Sequence, residues 1–185
     1  MLHMSQKNYD FMVVGALLSK ENHIRGLAKD LGTNQTTISR KVLKLYAANV
    51  VDFRFQGKNK VFFLKKTLEA KQYACILELY KLLAVIKKYP RLRLIVENIR
   101  ANSKITLVVL FGSYAKGNAN KESDIDIYID TADRSVRDEV SLLDTKLSIK
   151  IGKYDPQSLL IREIEKNHVI IKGVEEYYEK SKFFG

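Results

Sequence analysis

One cysteine, two prolines and no tryptophan occur in the 185 residues of this chain. A lone cysteine, Cys75, excludes an internal disulfide framework, and three scattered histidines give no metal-ligand cluster. Long apolar runs are missing too. Phe11 to Leu18 and Ile105 to Phe111 fall far short of the ~20 residues that a membrane-crossing helix needs. The opening MLHMSQKNYD has neither the basic nor the apolar region of a signal peptide, so a cytoplasmic protein with no membrane partner is expected. No Gly/Ser-rich linker, low-complexity tract or repeat interrupts the chain, and its composition is that of a globular protein.

What the chain has in excess is positive charge, a formal +11 at neutral pH. Residues 1–68 carry 12 Lys/Arg against 4 Asp/Glu, residues 69–101 carry 7 against 3, and residues 102–185 carry 13 against 14. The excess is therefore confined to the first 101 residues. Such asymmetry implies a polyanionic partner for the basic part and more than one domain.

The apolar periodicity divides the chain in the same way. Asn8 or Asp10 can cap a first helix running to Leu18. Ile24, Leu27, Ala28 and Leu31 keep helical spacing up to Gly32, a left-handed stop, and Thr33 or Asn34 can cap a third helix striped by Ile38, Val42 and Leu45. The period then falls from 3.6 to 2, with Val51, Phe53 and Phe55 alternating with polar residues. A Gly57-Lys58-Asn59 turn and Val61 to Leu64 follow, which predicts a hairpin. Thr67 to Tyr89 and Leu92 to Arg100 read as helices split by Pro90, either a spacer or a dimer seam. Beyond Asn102 the pattern predicts strands at Ile105–Phe111, Ile125–Ile129 and Leu147–Ile151. A helix over 134–145 and another starting at Asp155-Pro156 complete a small α/β domain.

Three helices and a basic hairpin in this order resemble the winged helix-turn-helix family. The resemblance rests on Leu27 to Arg40, LAKDLGTNQTTISR, with a dimer on duplex DNA as its default implication. The exposed face of the third helix offers Gln35, Thr36 and Ser39 to base edges, with Arg40 and Lys44 for phosphates. Arg54, Lys58 and Lys60 are the cations of the wing. Leu43 departs from this face and is expected to pack against the connecting helix.

A second motif lies in the neutral part: Phe111-Gly112-Ser113, ten residues, then Asp124-Ile125-Asp126. Gly112 permits close backbone approach to a phosphate and Ser113 supplies a hydroxyl. Asp124 and Asp126, two apart on a strand, project to one face, and paired carboxylates of this kind hold a cation such as Mg²⁺ beside substrate phosphates. This order is similar to the minimal nucleotidyltransferases of the DNA polymerase β superfamily. The resemblance implies Mg²⁺-dependent transfer of a nucleoside monophosphate from an NTP to an unidentified acceptor. It makes Asp124 and Asp126 the catalytic metal ligands and Gly112 and Ser113 the nucleotide-binding residues. Lys116 and Lys121 are further candidates for phosphate, though solvated lysines are the commoner case.

The family's third carboxylate has no evident counterpart. The strand that should carry it presents Ser148 and Lys150, and Asp144 and Asp155 are its nearest substitutes in sequence. Two readings therefore stand: an enzyme, or a transcription regulator whose degenerate domain only binds nucleotide or mediates assembly. A toxin partner is a weaker third, since minimal members of that family act as antitoxins. His168 reads as a surface or half-buried histidine and not a catalytic base, and Cys75 as a small apolar residue. The fold class expected is α+β: a winged helix-turn-helix (1–68), a helical connector (69–101) and a nucleotidyltransferase-like domain with a mixed sheet (102–185).

Overall fold

The computed structural model describes residues 8–184, so residues 1–7, the start of the stretch read as lacking a signal peptide, lie outside it. The described residues separate into two compact units. One runs to Leu77 and includes Phe184, and the other is Glu78–Phe183. No helix among the described residues is long and apolar enough to cross a membrane.

The first unit opens with α1 (Tyr9–Ser19), α2 (Ile24–Asp30) and α3 (Gln35–Ala47). Asn8 caps α1 by accepting from the Asp10 N–H, and Asn34 caps α3 by accepting from the Thr37 N–H at 2.8 Å. Between α2 and α3 Gly32 turns the chain at φ +60. The hairpin follows as β1 (Val51–Gln56) and β2 (Asn59–Leu64), antiparallel, with Gln56 opposite Asn59. Only Gly57 and Lys58 therefore form the loop, and Gly57, at φ +61, holds the first loop position, which a type II′ turn reserves for glycine. Val13, Val14, Leu17, Leu27, Ile38, Val42, Leu45, Val51, Phe62 and Leu64 make the core. Helix, turn, helix and two-stranded wing are thus all present.

Helix α4 (Leu68–Lys88) carries the division between units, and α5 (Leu92–Ala101) follows the break at Pro90. The second unit contains β3 (Val108–Leu110), α6 (Gly112–Lys116), β4 (Ile125–Asp130) and α7 (Arg134–Ser141). It continues with β5 (Leu147–Gly152), α8 (Leu159–Lys166), β6 (Val169–Lys172) and α9 (Val174–Ser181). The sheet is mixed, in the order β5-β4-β3-β6: β4 and β5 run parallel, whereas β3 is antiparallel to both its neighbours. Ile125, Ile127 and Ile129 point into a core with Ile95, Val96 and Ile99 of α5 and Val136 and Val140 of α7.

Several boundaries differ from the sequence reading. The first strand is only Val108–Leu110, because Phe111 already leaves the ladder to lead into α6. Helix α7 stops at Ser141, short of Thr145. Helix α8 starts at Leu159, not at Asp155-Pro156: the Asp155 carboxylate accepts from the Gln157 N–H in a local turn, and Ser158 is the cap, accepting from the Ile161 N–H. Strand β6 and helix α9 were not anticipated at all.

Candidate functional site

The carboxylate site is assembled by the turn out of β3. Gly112 has φ +66, and a Cβ built on it would lie 2.2 Å from Oδ2 of Asp126. The glycine is therefore required twice, for a left-handed backbone and because the Asp126 carboxylate occupies the space where a side chain would go. The sequence reading assigned that space to a phosphate; the structure fills it with the acid. The Phe111 N–H donates to the Asp126 carbonyl at 2.9 Å, which ties the turn to β4. Ser113 follows half-buried in the first turn of α6, and Gly117, left-handed at φ +74, ends that helix.

The two aspartates are not equivalent. Strand β4 begins at Ile125, whose N–H donates to the Lys146 carbonyl, so Asp124 sits just before the ladder and is exposed. Asp126 is within the strand and half-buried. A turn that sequence reasoning overlooked precedes Asp124. In it the Asn120 N–H donates to Ser123 Oγ at 2.9 Å, and the Glu122 N–H to Asn120 Oδ1 at 2.9 Å. An Asn three residues before a Ser was the available signal for that turn.

Register identifies what faces Asp126. In the parallel β4–β5 pair Asp126 lies opposite Ser148 and Tyr128 opposite Lys150. Partners in register share a face, so Ser148 is the nearest strand neighbour of Asp126, while Lys150 is two residues further along, ~6.6 Å. The substitutes considered above are engaged elsewhere. Asp144 accepts from Arg91 at 2.8 Å and from the Lys146 N–H at 2.9 Å, and the Arg91 hydrogen bond holds its carboxyl below the usual range. Asp155 serves its own turn. Among the described residues no group of three His, Cys, Asp or Glu is placed to hold a metal. Further along the same face Tyr128 is buried against Tyr154, which meets Tyr177 edge-on. His168 packs on Tyr177 and its Nδ1 lies 3.2 Å from the Glu165 carbonyl.

The candidate nucleic-acid face has fewer free cations than its composition suggests. Gln35, Thr36 and Arg40 are exposed on α3, and Ser39 is half-buried between them. Lys44 is not free: it donates to the buried Asp10 at 2.7 Å, with Lys41 at 3.1 Å on the other carboxylate oxygen. Burial alone would raise the Asp10 pKa, but hydrogen bonds from Lys44 and Lys41 outweigh it and lower it. On the wing Arg54 pairs with Glu21, and Lys60 lies over the Phe53 ring at 4.0 Å. Lys58 stands exposed at the hairpin loop. Leu43, expected to pack against the connecting helix, is 63% exposed.

With this geometry in place, comparison with known proteins is informative for the second unit. The family profile of the nucleotidyltransferase domain matches residues 92–181. The chain is also 43% identical over 74 residues to a candidate protein adenylyltransferase of Methanocaldococcus jannaschii. That match spans 40% of this chain and 60% of the relative. Among solved structures, the transcriptional repressor BigR of Xylella fastidiosa superposes with a TM-score of 0.33 at 19% identity, over 45% of this chain and 74% of that one. A homodimeric winged helix-turn-helix DNA-binding domain of Mycobacterium bovis gives 0.34 at 20% identity, over 44% and 72%. The winged-helix architecture of the first unit stands on its own order of elements.

Proposed function

We propose that the protein binds duplex DNA through its winged unit and binds a nucleoside triphosphate with Mg²⁺ at the Gly112-Ser113/Asp124/Asp126 corner. There it transfers the nucleoside monophosphate to an acceptor hydroxyl. The observation that carries this reading is the Asp126 carboxylate set against Gly112, which brings one acid of the pair against the Gly-Ser turn. The donors are hard oxygens, which suit Mg²⁺. Asp124 and Asp126 would hold the cation, which when bound would neutralise triphosphate charge. Ser113 would bond a phosphate oxygen. The reaction forms a bond from the acceptor oxygen to the α-phosphorus and breaks the bond to the β-phosphate, releasing pyrophosphate. The M. jannaschii relative supports ATP as donor and a protein hydroxyl as the first acceptor class to test.

A second reading is favoured by one observation, Ser148 opposite Asp126. With no third carboxylate to activate the acceptor, the domain would bind Mg²⁺ and nucleotide without turnover and act as a regulatory module. Incubating the full chain with α-labelled NTPs, Mg²⁺ or Mn²⁺ and candidate acceptors, beside calorimetric binding, separates the two. Transfer that Asp126→Asn abolishes supports the enzyme. Binding that Asp126→Asn abolishes, without transfer, supports the module. Absence of both removes the site.

A further inference from the structure

The wing holds an apolar surface that neither unit's chemistry has so far used. Phe53 and Phe55 alternate on β1 and share one face of the hairpin with their register partners Phe62 and Lys60. Near the body of the unit this face is core, since Phe62 and Leu64 are buried. Toward the hairpin loop it leaves the core and becomes a surface. Phe53 contacts the Phe62 ring at 5.7 Å, the Tyr46 ring of α3 at 5.8 Å and the Phe55 ring edge-on at 5.7 Å. Phe55 is 67% exposed. Leu43 and Tyr46 are both exposed and occupy the same side of α3 as Thr36 and Ser39, by their spacing of three, four and seven residues.

A single exposed apolar residue needs no explanation, but Phe55 continues a row of rings with Phe53 and Tyr46, and contiguous apolar patches mark interaction sites. Its surroundings decide the occupant. Between Gln35 and Lys66 the chain has eight Lys/Arg, against Asp52 as its one acid. The Lys60 ammonium lies 4.0 Å from the Phe53 centroid and 5.7 Å from that of Phe55, so a cation sits on the patch itself. Charge complementarity selects a polyanion with apolar faces to offer, and duplex DNA is that partner. Resting on the DNA-binding reading above, we infer that Phe55 is an apolar wedge, backed by Phe53 and Tyr46, that enters a base step beside the major-groove site of α3. It thereby selects DNA that kinks there. Lys60, over the rings, then reaches the phosphates flanking the step.

The experiment uses the full chain and two labelled duplexes of about 30 base pairs and equal composition, one with central TpA steps and one without pyrimidine–purine steps, since TpA steps kink most easily. Affinity is read by anisotropy and bending by end-to-end energy transfer. Wild type is expected to favour and bend the TpA duplex. Phe55→Ala is expected to bind it about 10-fold more weakly, the burial of one phenylalanine, with no bend and an unchanged salt slope. Phe55→Leu, still an apolar wedge, keeps most of the bend. Circular dichroism verifies that both variants fold. If wild type binds and Phe55→Ala binds and bends equally well, the wedge is wrong while DNA binding stands. If wild type binds neither duplex, the DNA reading itself fails. If Phe55→Ala only dissociates a self-associated form, the patch is a protein interface and the inference is overturned.

Discussion

Replacing Gly112 by alanine tests the geometry of the candidate site, and Gly117→Ala in the same unit is its control. Both residues are left-handed, at φ +66 and φ +74, so each alanine loses about 1–2 kcal/mol to backbone strain. They differ in what the new methyl meets. At Gly117 it finds only the end of the Lys88 side chain at 3.6 Å, an ordinary contact. At Gly112 it meets the Asp126 carboxylate, with Oδ2 at 2.2 Å and the carboxyl carbon at 3.0 Å. Restoring van der Waals distance moves that carboxylate by about 1 Å, and a displacement of that size in a reacting constellation costs about 100-fold in rate. Gly117→Ala is expected to lower the melting temperature by about 5–10 °C, as 1–2 kcal/mol does in a domain of this size, and to leave Mg²⁺–nucleotide binding close to wild type. Gly112→Ala is expected to melt at least as early and to lose nucleotide binding and any transfer. Melting by circular dichroism and titration by calorimetry decide between them. A Gly112→Ala variant that binds nucleotide like Gly117→Ala would refute the reasoning, because Asp126 would then not depend on the empty space at residue 112.

Other perturbations test separate parts. Ser148→Asp sets a carboxylate in register with Asp126, so Mn²⁺ should bind more tightly and label transfer should rise; unchanged metal affinity would show that β5 does not border the site. Burial is the largest influence on His168 and lowers its pKa, with Glu78 acting in the opposite direction and Lys81 in the same one. The unfolded chain, with a histidine pKa of about 6.5, therefore takes up the proton first. Stability is expected to be full above pH 6.5 and to fall as pH drops below it, a dependence that thermal melts should find weakened in His168→Gln. On DNA, Lys58→Ala should reduce the salt slope of binding by about 0.9, one phosphate contact. Lys44→Ala, by contrast, should chiefly lower the melting temperature of the first unit, since it strips a partner from the buried Asp10; a slope change of the Lys58 size with no loss of stability would contradict that assignment.

The elements that sequence revealed were those whose signals are local. Asn34 before α3, Gly32 after α2 and the switch of period at Val51 all act within a few residues, and each marks a real boundary. Strand β6 was invisible because Val169–Lys172 has only three apolar residues before a lysine, and its reason to be a strand is its pairing with β3, some sixty residues earlier. Asp155-Pro156 satisfied the rule for a helix start, but Ser158 satisfied it as well. Only the bond from the Ile161 N–H shows which cap won. The acidic pair was legible by spacing alone, whereas its distinction was not: whether Asp124 belongs to β4 depends on where the ladder with β5 begins. The same ladder answers which of Ser148 and Lys150 stands beside Asp126, a question that alternation within one strand leaves open.

Charge counting overstated the number of cations ready to meet DNA, and the reason is physical. Composition records how many cations a segment has, whereas binding depends on what each must give up. Lys58 and Arg40 are exposed, and on the proposed DNA reading they engage phosphate first. Arg54 must leave Glu21, but that pair is exposed, and exposed pairs are worth about 0–1 kcal/mol, so a phosphate can take its place. Glu21 is then left facing the duplex, which offsets part of the gain. Lys60 has its ammonium over the Phe53 ring at 4.0 Å, so turning to a phosphate gives up that cation–π contact, about 0.5–1 kcal/mol at an exposed site. Lys44 is last in the order, because abandoning Asp10 leaves one buried carboxylate with Lys41 alone. On the proposed DNA reading, the basic unit therefore has a smaller electrostatic footprint than its net charge implies. Its neutral donors on α3 and the aromatic face of its wing carry correspondingly more of the recognition.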